Sequence, residues 1–293
     1  MKFGISMFTT DESATPAQVA RLVEDHGFES FWLSEHSNMP LSTDFPFADT
    51  LPREYCAMLD PFVSLAVAAA STTRIKLGTA ICLVTQRDPI NCAKSVASLD
   101  HISNGRVLFG IGAGWNEPEM RNHGTDPASR FRLLRERVEA MKALWTQEAA
   151  EYHGRYVDFE ATLQWPKPVQ QPHPPILLAG AGPNILKRVV AFADGWLPIV
   201  TPSATSAAKG RMIPMIEFEL MVQELNAMAE VAGKPKPSIT ASSLGLEPES
   251  YGKLQQLGVD RLILRLTPEP LPVISDQIRQ HAADVRAIGG QLA

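Results

Sequence analysis

Short runs of aliphatic, β-branched and aromatic residues alternate along this chain with longer segments whose apolar positions recur every three or four residues. Residues 2–8 (KFGISMF) have the first pattern and predict a strand. The next segment, TPAQVARLVEDHGF, has the second, with Val19, Leu22, Val23 and His26 on one helical face. Thr15 and Gln18 are spaced as a capping box, Pro16 sits in the first turn, and Gly27 stops the helix. Further strands are expected over residues 29–36, 75–84, 106–112, 175–180, 195–200, 238–244 and 261–266. Helices are expected from Asp60-Pro61, from Asp88-Pro89 to Asn104-Gly105, over residues 130–145, 182–193 and 214–232, and from the eighth strand to about Ala287. Leu134, Val138, Met141 and Trp145 carry the apolar spacing of the long central one.

Eight strands alternating with helices describe an α/β (β/α)8 TIM barrel with inserted loops, one domain over residues 1–293. A doubly wound sheet needs fewer strands and a second domain for the remainder. Two connections are long, residues 37–59 after the second strand and 114–129 after the fourth. Both leave C-terminal strand ends, where active sites of this architecture are built. The first carries Phe45, Phe47, Leu51, Tyr55 and Met58, apolar enough to cover a hydrophobic substrate or to pack in a dimer interface. The Pro-rich passage through Trp165-Pro166 and residues 172–175 reads as an ordered loop towards the fifth strand.

In the stretch RVLFGIGAGWNEPEM, Gly110, Gly112 and Gly114 occupy every second position as an apolar run ends. A dinucleotide-binding loop would follow the first strand of its unit, read GxGxxG and open a helix directly. Here the spacing is GxGxG, on the fourth strand, before a polar loop. Alternate strand positions face one side, so the three glycines share a face. That face either makes room for bulky neighbours inside a barrel or lets a flat ring approach the backbone at its rim.

Composition narrows the function. Net charge is −5, with no basic stripe, which argues against nucleic acid as a main partner. The three cysteines, Cys56, Cys82 and Cys92, form no CxxC and read as reduced thiols. No signal core opens the chain, and the most apolar stretch, FVSLAVAAA, is too short to span a bilayer, so a cytoplasmic protein without membrane contact is expected. The histidines, His101, His123, His153, His173 and His281 among them, show no metal-ligand spacing. Arg130, Arg132, Arg135 and Arg137 spread over several helix faces and read as solvated or paired.

Five stretches, GFESFWLSEH, LGTAICLVTQRDP, GRVLFGIGAGWNEPEM, RFRLLRERVEAMKALW and ILLAGAGPNILKRVVAFADGW, resemble the bacterial luciferase-like monooxygenase superfamily. Among its members they are most similar to oxidoreductases that use coenzyme F420, a deazaflavin. The resemblance covers residues 2 to about 199. It implies a flavin-type ring across the C-terminal mouth, a small organic substrate exchanging hydride with C5, commonly a homodimer, and a separate reductase where reduced cofactor must be supplied. LGTAI matches the strand end where family members carry a non-proline cis bond behind the ring, here between Ala80 and Ile81. Ala113, Gly114 and Trp115 would lie against the ring. Gly180, Ala181, Gly182 and Pro183 match a phosphate-binding turn, and small residues before a helix expose N–H groups independently of any family.

Glu35 and His36 match an acid–histidine pair that reaches the ring in F420-dependent relatives. His36 is expected to act near the reacting carbon, with Glu35 orienting it or touching the cofactor. The sequence departs from the sugar-phosphate dehydrogenases of the superfamily, which place an acid where Trp115 stands. Trp115 is expected to stack on a ligand or to pack under its loop, and Glu117 is the nearest substitute acid. The resemblance equally allows FMN as cofactor, in a reduced-flavin monooxygenase, and a barrel that binds a flavin without turnover.

Overall fold

Eight parallel strands, paired edge to edge, close into a ring in a computed structural model that describes residues 1–46, 48–203 and 212–292. They are β1 (Lys2–Met7), β2 (Ser30–Leu33), β3 (Lys76–Thr79), β4 (Val107–Gly112), β5 (Ile176–Ala179), β6 (Gly195–Leu197), β7 (Ser238–Ser243) and β8 (Arg261–Arg265). Each pairs with the next, and β8 returns to β1 with Gly4 opposite Ile263. A helix follows every strand: α1 (Pro16–Asp25), α2 (Pro61–Ser71), α3 (Pro89–Ile102), α4 (Arg130–Thr146), α5 (Ile185–Phe192), α6 (Met215–Val231), α7 (Tyr251–Gln256) and α8 (Leu271–Ala287). This is the expected (β/α)8 barrel.

The helix starts follow the expected chemistry. The Thr15–Gln18 capping box closes in both directions, and Asp60 and Asp88 accept first-turn N–H groups ahead of their prolines. Two expectations need correction. The third strand is not continuous to Val84, because a cis peptide at Ala80-Ile81 follows β3 and only Cys82–Leu83 resumes pairing, on β4. The sixth strand is interrupted at Pro198, which has no N–H for the ladder, and Ile199–Thr201 resumes along the C-terminal end of β7 in the same register. The Pro-rich passage from Trp165 to Pro175 runs without helix or strand, as expected, and the polar segment before it, for which the sequence pattern predicts no element, forms an antiparallel hairpin of Ala149–His153 and Asp158–Leu163.

The interior is filled around one indole. Trp32 on β2 is fully buried and donates from Nε1 to Ser30 Oγ at 2.8 Å. Its ring occupies the space that side chains at Gly4 and Gly78 would need; a Cβ on Gly78 would come within 2.1 Å of it. Leu108, Leu177, Leu197 and Ile263 pack around this ring. Beneath it, Arg261 lies over the indole at 5.7 Å and forks onto Glu29 at 2.5 and 2.6 Å. Burial pushes the Glu29 carboxyl up, but the Arg261 guanidinium outweighs that and holds it below its usual range.

The two glycines on β4, Gly110 and Gly112, serve packing. A Cβ on Gly110 would sit 2.0 Å from the Thr79 carbonyl, and one on Gly112 would meet Ile81 Cδ1 at 2.1 Å. Gly114 differs, with φ +80°, a conformation that favours glycine.

Two stability outcomes follow from this interior. Gly78→Ala must displace a rigid ring rather than a flexible chain end, and is expected to destabilise by about 1–3 kcal/mol in chemical denaturation. Because the native Glu29 pKa is depressed, its contribution is present above about pH 5 and is lost as pH falls through the native value. Glu29→Gln should therefore lower Tm at neutral pH, and its gap to the parent should close on acidification; a gap constant with pH would contradict the ion pair.

Candidate active site

The inward face of each strand continues onto the barrel mouth. After Trp32 the same side carries Ser34 and then His36, and after Gly78 it carries Ala80. Ser34 Oγ donates to the Ala80 carbonyl at 2.8 Å, and Ala80 N–H donates to Leu33 at 2.7 Å. The end of β2 thus clasps the chain where the expected cis bond occurs. Ala80 and Ala179, half-buried beside Ile81 against the Trp32 layer, make a quadrant of small side chains.

Glu35 points the other way. Its carboxylate accepts from Leu83 N–H at 2.7 Å and Arg87 Nε at 2.6 Å, and Arg87 Nη2 reaches Asp60 at 2.6 Å. Burial lowers the Arg87 pKa, but the Glu35 and Asp60 carboxylates more than reverse that and leave it raised. Asp60 is in turn held below its ordinary value, its own burial being outweighed by Arg87 and by two N–H groups of α2. Glu35 therefore fastens the segment after the cis bond; it does not orient His36.

The carboxylate that orients His36 is Glu119. Nδ1 of His36 lies 2.8 Å from Glu119 Oε2, while Ser37 N–H donates to Oε1 at 3.1 Å. Glu119 is completely buried and the His36 side chain is 7% exposed. On the other side of the ring, Trp115 Nε1 donates to His36 Nε2 at 3.2 Å. An indole N–H can only donate, so Nε2 carries the lone pair and Nδ1 the proton facing the carboxylate. This is a base-and-orienter arrangement on an imidazole at a barrel rim.

Sequence reasoning missed Glu119 and named Glu117. Both lie on a short helix, Glu117–Asn122, which interrupts the expected loop after β4. Glu117 faces outward and pairs with Arg121 at 3.1 Å and Arg130 at 3.2 Å. Asn116 caps this helix, its side chain accepting from the Glu119 N–H, and the N-x-x-E spacing is that of a capping box. Instead of returning to the cap, the Glu119 side chain meets His36.

Aromatic rings enclose the imidazole. Trp115 stands 5.4 Å and Tyr55 5.6 Å from it, Phe45 bridges Tyr55 at 4.8 Å and Trp115 at 5.9 Å, and Phe8 meets Tyr55 at 5.0 Å. The 37–59 connection thus brings Phe45 and Tyr55 onto the site; Phe47 lies outside the described residues. Trp115 packs under this loop and binds His36 at once. Ala113 is turned into the outer core, with its carbonyl taken by Thr85 Oγ1 at 2.9 Å, and a Cβ on Gly114 would meet Met120 Cε at 3.1 Å.

Gly180 follows β5 with φ +140° and accepts from Trp196 Nε1 at 3.0 Å. Ala181, Gly182, Pro183 and Asn184 turn into α5, whose first turn has no side-chain cap. A Cβ on Gly182 would meet nothing within 4 Å. Among the described residues, no three histidine, cysteine or acidic side chains gather as a metal site, and no helix is long and apolar enough to cross a membrane. Cys82 and Cys92 are buried and Cys56 is exposed, all as free thiols.

Comparison with known proteins gives the arrangement a family. An uncharacterized protein of Mycobacterium tuberculosis (strain ATCC 25618 / H37Rv) is 42% identical over 269 residues, 90% of this chain and 91% of its own. The oxygenase component of a flavin-dependent trigonelline monooxygenase from Acinetobacter baylyi is 33% identical over 63% of this chain and 47% of its own length. An F420-dependent glucose-6-phosphate dehydrogenase of Nocardia farcinica is 28% identical over 90% of this chain and 74% of its own. The solved structure of monooxygenase RslO1 from Streptomyces bottropensis shares the fold, with a TM-score of 0.79 at 21% identity, covering 99% of this chain and all of the other. The family model described as luciferase-like monooxygenase matches residues 1–241, and the chain belongs to that family.

Proposed function

We propose that the protein is an F420-dependent oxidoreductase that moves a hydride between C5 of the deazaflavin and a small organic substrate. The observation that carries this reading is His36, held between Glu119 and Trp115 beside the small-residue quadrant at the mouth. The residues present fit a planar ring with a phosphate-bearing tail. Ala80 and Ala179 leave the main chain lightly covered beside Ile81, and the Trp32 layer supplies a floor. In the turn of Gly180, Ala181, Gly182 and Pro183, Gly182 opens on free space, and the first turn of α5 has no side-chain cap competing for its N–H groups.

Bound there, the deazaflavin would supply hydride exchange; the chain supplies orientation, exclusion of water and proton handling. His36 Nε2 is placed to take the proton from a substrate hydroxyl as hydride leaves its carbon, or to return it to a carbonyl in the reverse direction. Glu119 stabilises the imidazolium that forms. Phe45, Tyr55 and Trp115 keep water from the imidazole. Glu35 acts at one remove, by fixing the chain that carries Ile81.

The N. farcinica relative supports F420, and the A. baylyi relative supports FMN in a monooxygenase of the same fold, supplied by a separate reductase. Titrating the purified protein with each cofactor separates the two: F420 is expected to bind, and tight FMN binding with no measurable F420 affinity would overturn the first reading. With any alcohol or carbonyl compound that a substrate panel reveals, His36→Ala should lower kcat by about 10²–10⁴-fold while cofactor affinity holds. Correlation spectra of the imidazole nitrogens should show His36 protonated at Nδ1 near neutral pH; a neutral ring protonated at Nε2 would remove its role as base.

A further inference from the structure

The half of the mouth facing the small-residue quadrant carries a cation that the hydride chemistry leaves unused. On β8, Arg261 lies over the Trp32 ring and Ile263 packs in the layer around it, so both point inward. Arg265, two residues on, rises from the same face at the C-terminal rim, opposite Ser6 of β1. Its guanidinium lies 4.7 Å from the ring of Phe8, which continues the inward face of β1. Phe8 is edge-on to Tyr55 at 5.0 Å, and Tyr55 stands 5.6 Å from His36. An unbroken line of contacts therefore joins the Arg265 cation to the imidazole.

Arg265 is exposed, and among the described residues no carboxylate lies within ion-pairing distance of it. The contrast with other arginines near the barrel is sharp: Arg261 is committed to Glu29 and Arg87 to Glu35 and Asp60. The Tyr55 phenol is raised by burial and pulled partly back by the charge and hydrogen bonding of Arg265. A guanidinium presents a planar fork that matches carboxylate and phosphate oxygens. Between it and His36 the wall is aromatic.

We propose that the substrate is an apolar, ring-bearing organic anion, a carboxylate or a phosphate monoester. Its charged group pairs with Arg265, its body lies along Phe8 and Tyr55, and its reacting carbon faces His36. This names the substrate class of the site proposed above and rests on that reading.

The test is calorimetric binding of phenylacetate, phenyl phosphate and the neutral phenylacetamide to the full chain, alone and with the cofactor that the titration identifies. At least one anion is expected to bind about ten- to a hundredfold tighter than the amide, as charge-assisted hydrogen bonds require, and the tighter of the two shows which anion the site takes. Arg265→Gln should abolish the preference, Arg265→Lys should keep part of it, and both should retain the parent circular dichroism spectrum and cofactor affinity. Equal binding of acid and amide, a preference that survives Arg265→Gln, or no binding of any probe would overturn the assignment. An anion preference without affinity for F420 or FMN would count against the oxidoreductase reading alone. Bound cofactor without the preference would count against Arg265 alone.

Discussion

The mouth of this barrel depends on the grip of one strand end upon its neighbour. Three consecutive residues closing β2 hold both sides of the Ala80-Ile81 peptide: Leu33 accepts the Ala80 N–H, Ser34 donates to the Ala80 carbonyl, and Glu35 accepts the Leu83 N–H. Each of these backbone groups would otherwise be a buried polar atom short of a partner. Arg87 extends the grip to Asp60 and so to the start of α2. Because His36 is the next residue of the same strand end, the imidazole and the small-residue quadrant are set by one local network. A disturbance at Glu35 is transmitted to both.

Below the mouth, the interior is an exercise in volume. A tryptophan in a narrow ring of strands is admitted only where its neighbours surrender their side chains, at Gly4 and Gly78. The same exchange recurs one level higher, where Gly112 yields its space to Ile81 and Gly110 lets β3 approach. The floor is therefore dense and rigid, and the variable chemistry is confined to side chains that rise above it. That division explains why a family sharing one barrel includes proteins named for quite different reactions.

Most of the scaffold was legible in the sequence because local rules decide it. The Thr15–Gln18 box, the Asp-Pro starts of α2 and α3 and the alternation of eight strands needed no knowledge of distant partners. The cis bond came from family resemblance, since it leaves no trace in periodicity. Glu119 was illegible for a different reason. A glutamate in a polar loop reads as solvated, and its burial is decided by His36, 83 positions earlier. The pairing of Glu35 with Arg87 was hidden in the same way, and adjacency to His36 made Glu35 look like the orienting acid. The hairpin at 149–163 was not legible because its strands alternate only weakly between apolar and polar positions.

The contact between Trp115 and His36 has a consequence for how ligands must enter. In the resting protein the lone pair of Nε2 already receives an indole hydrogen, so an incoming hydroxyl gains that nitrogen only by evicting the indole. One hydrogen bond replaces another, and the exchange itself yields little free energy, on the order of 1 kcal/mol either way. Affinity must then come from surfaces away from the imidazole, and the base is unmasked only for molecules able to engage them. Selection by the walls is thereby converted into selection at the reacting atom.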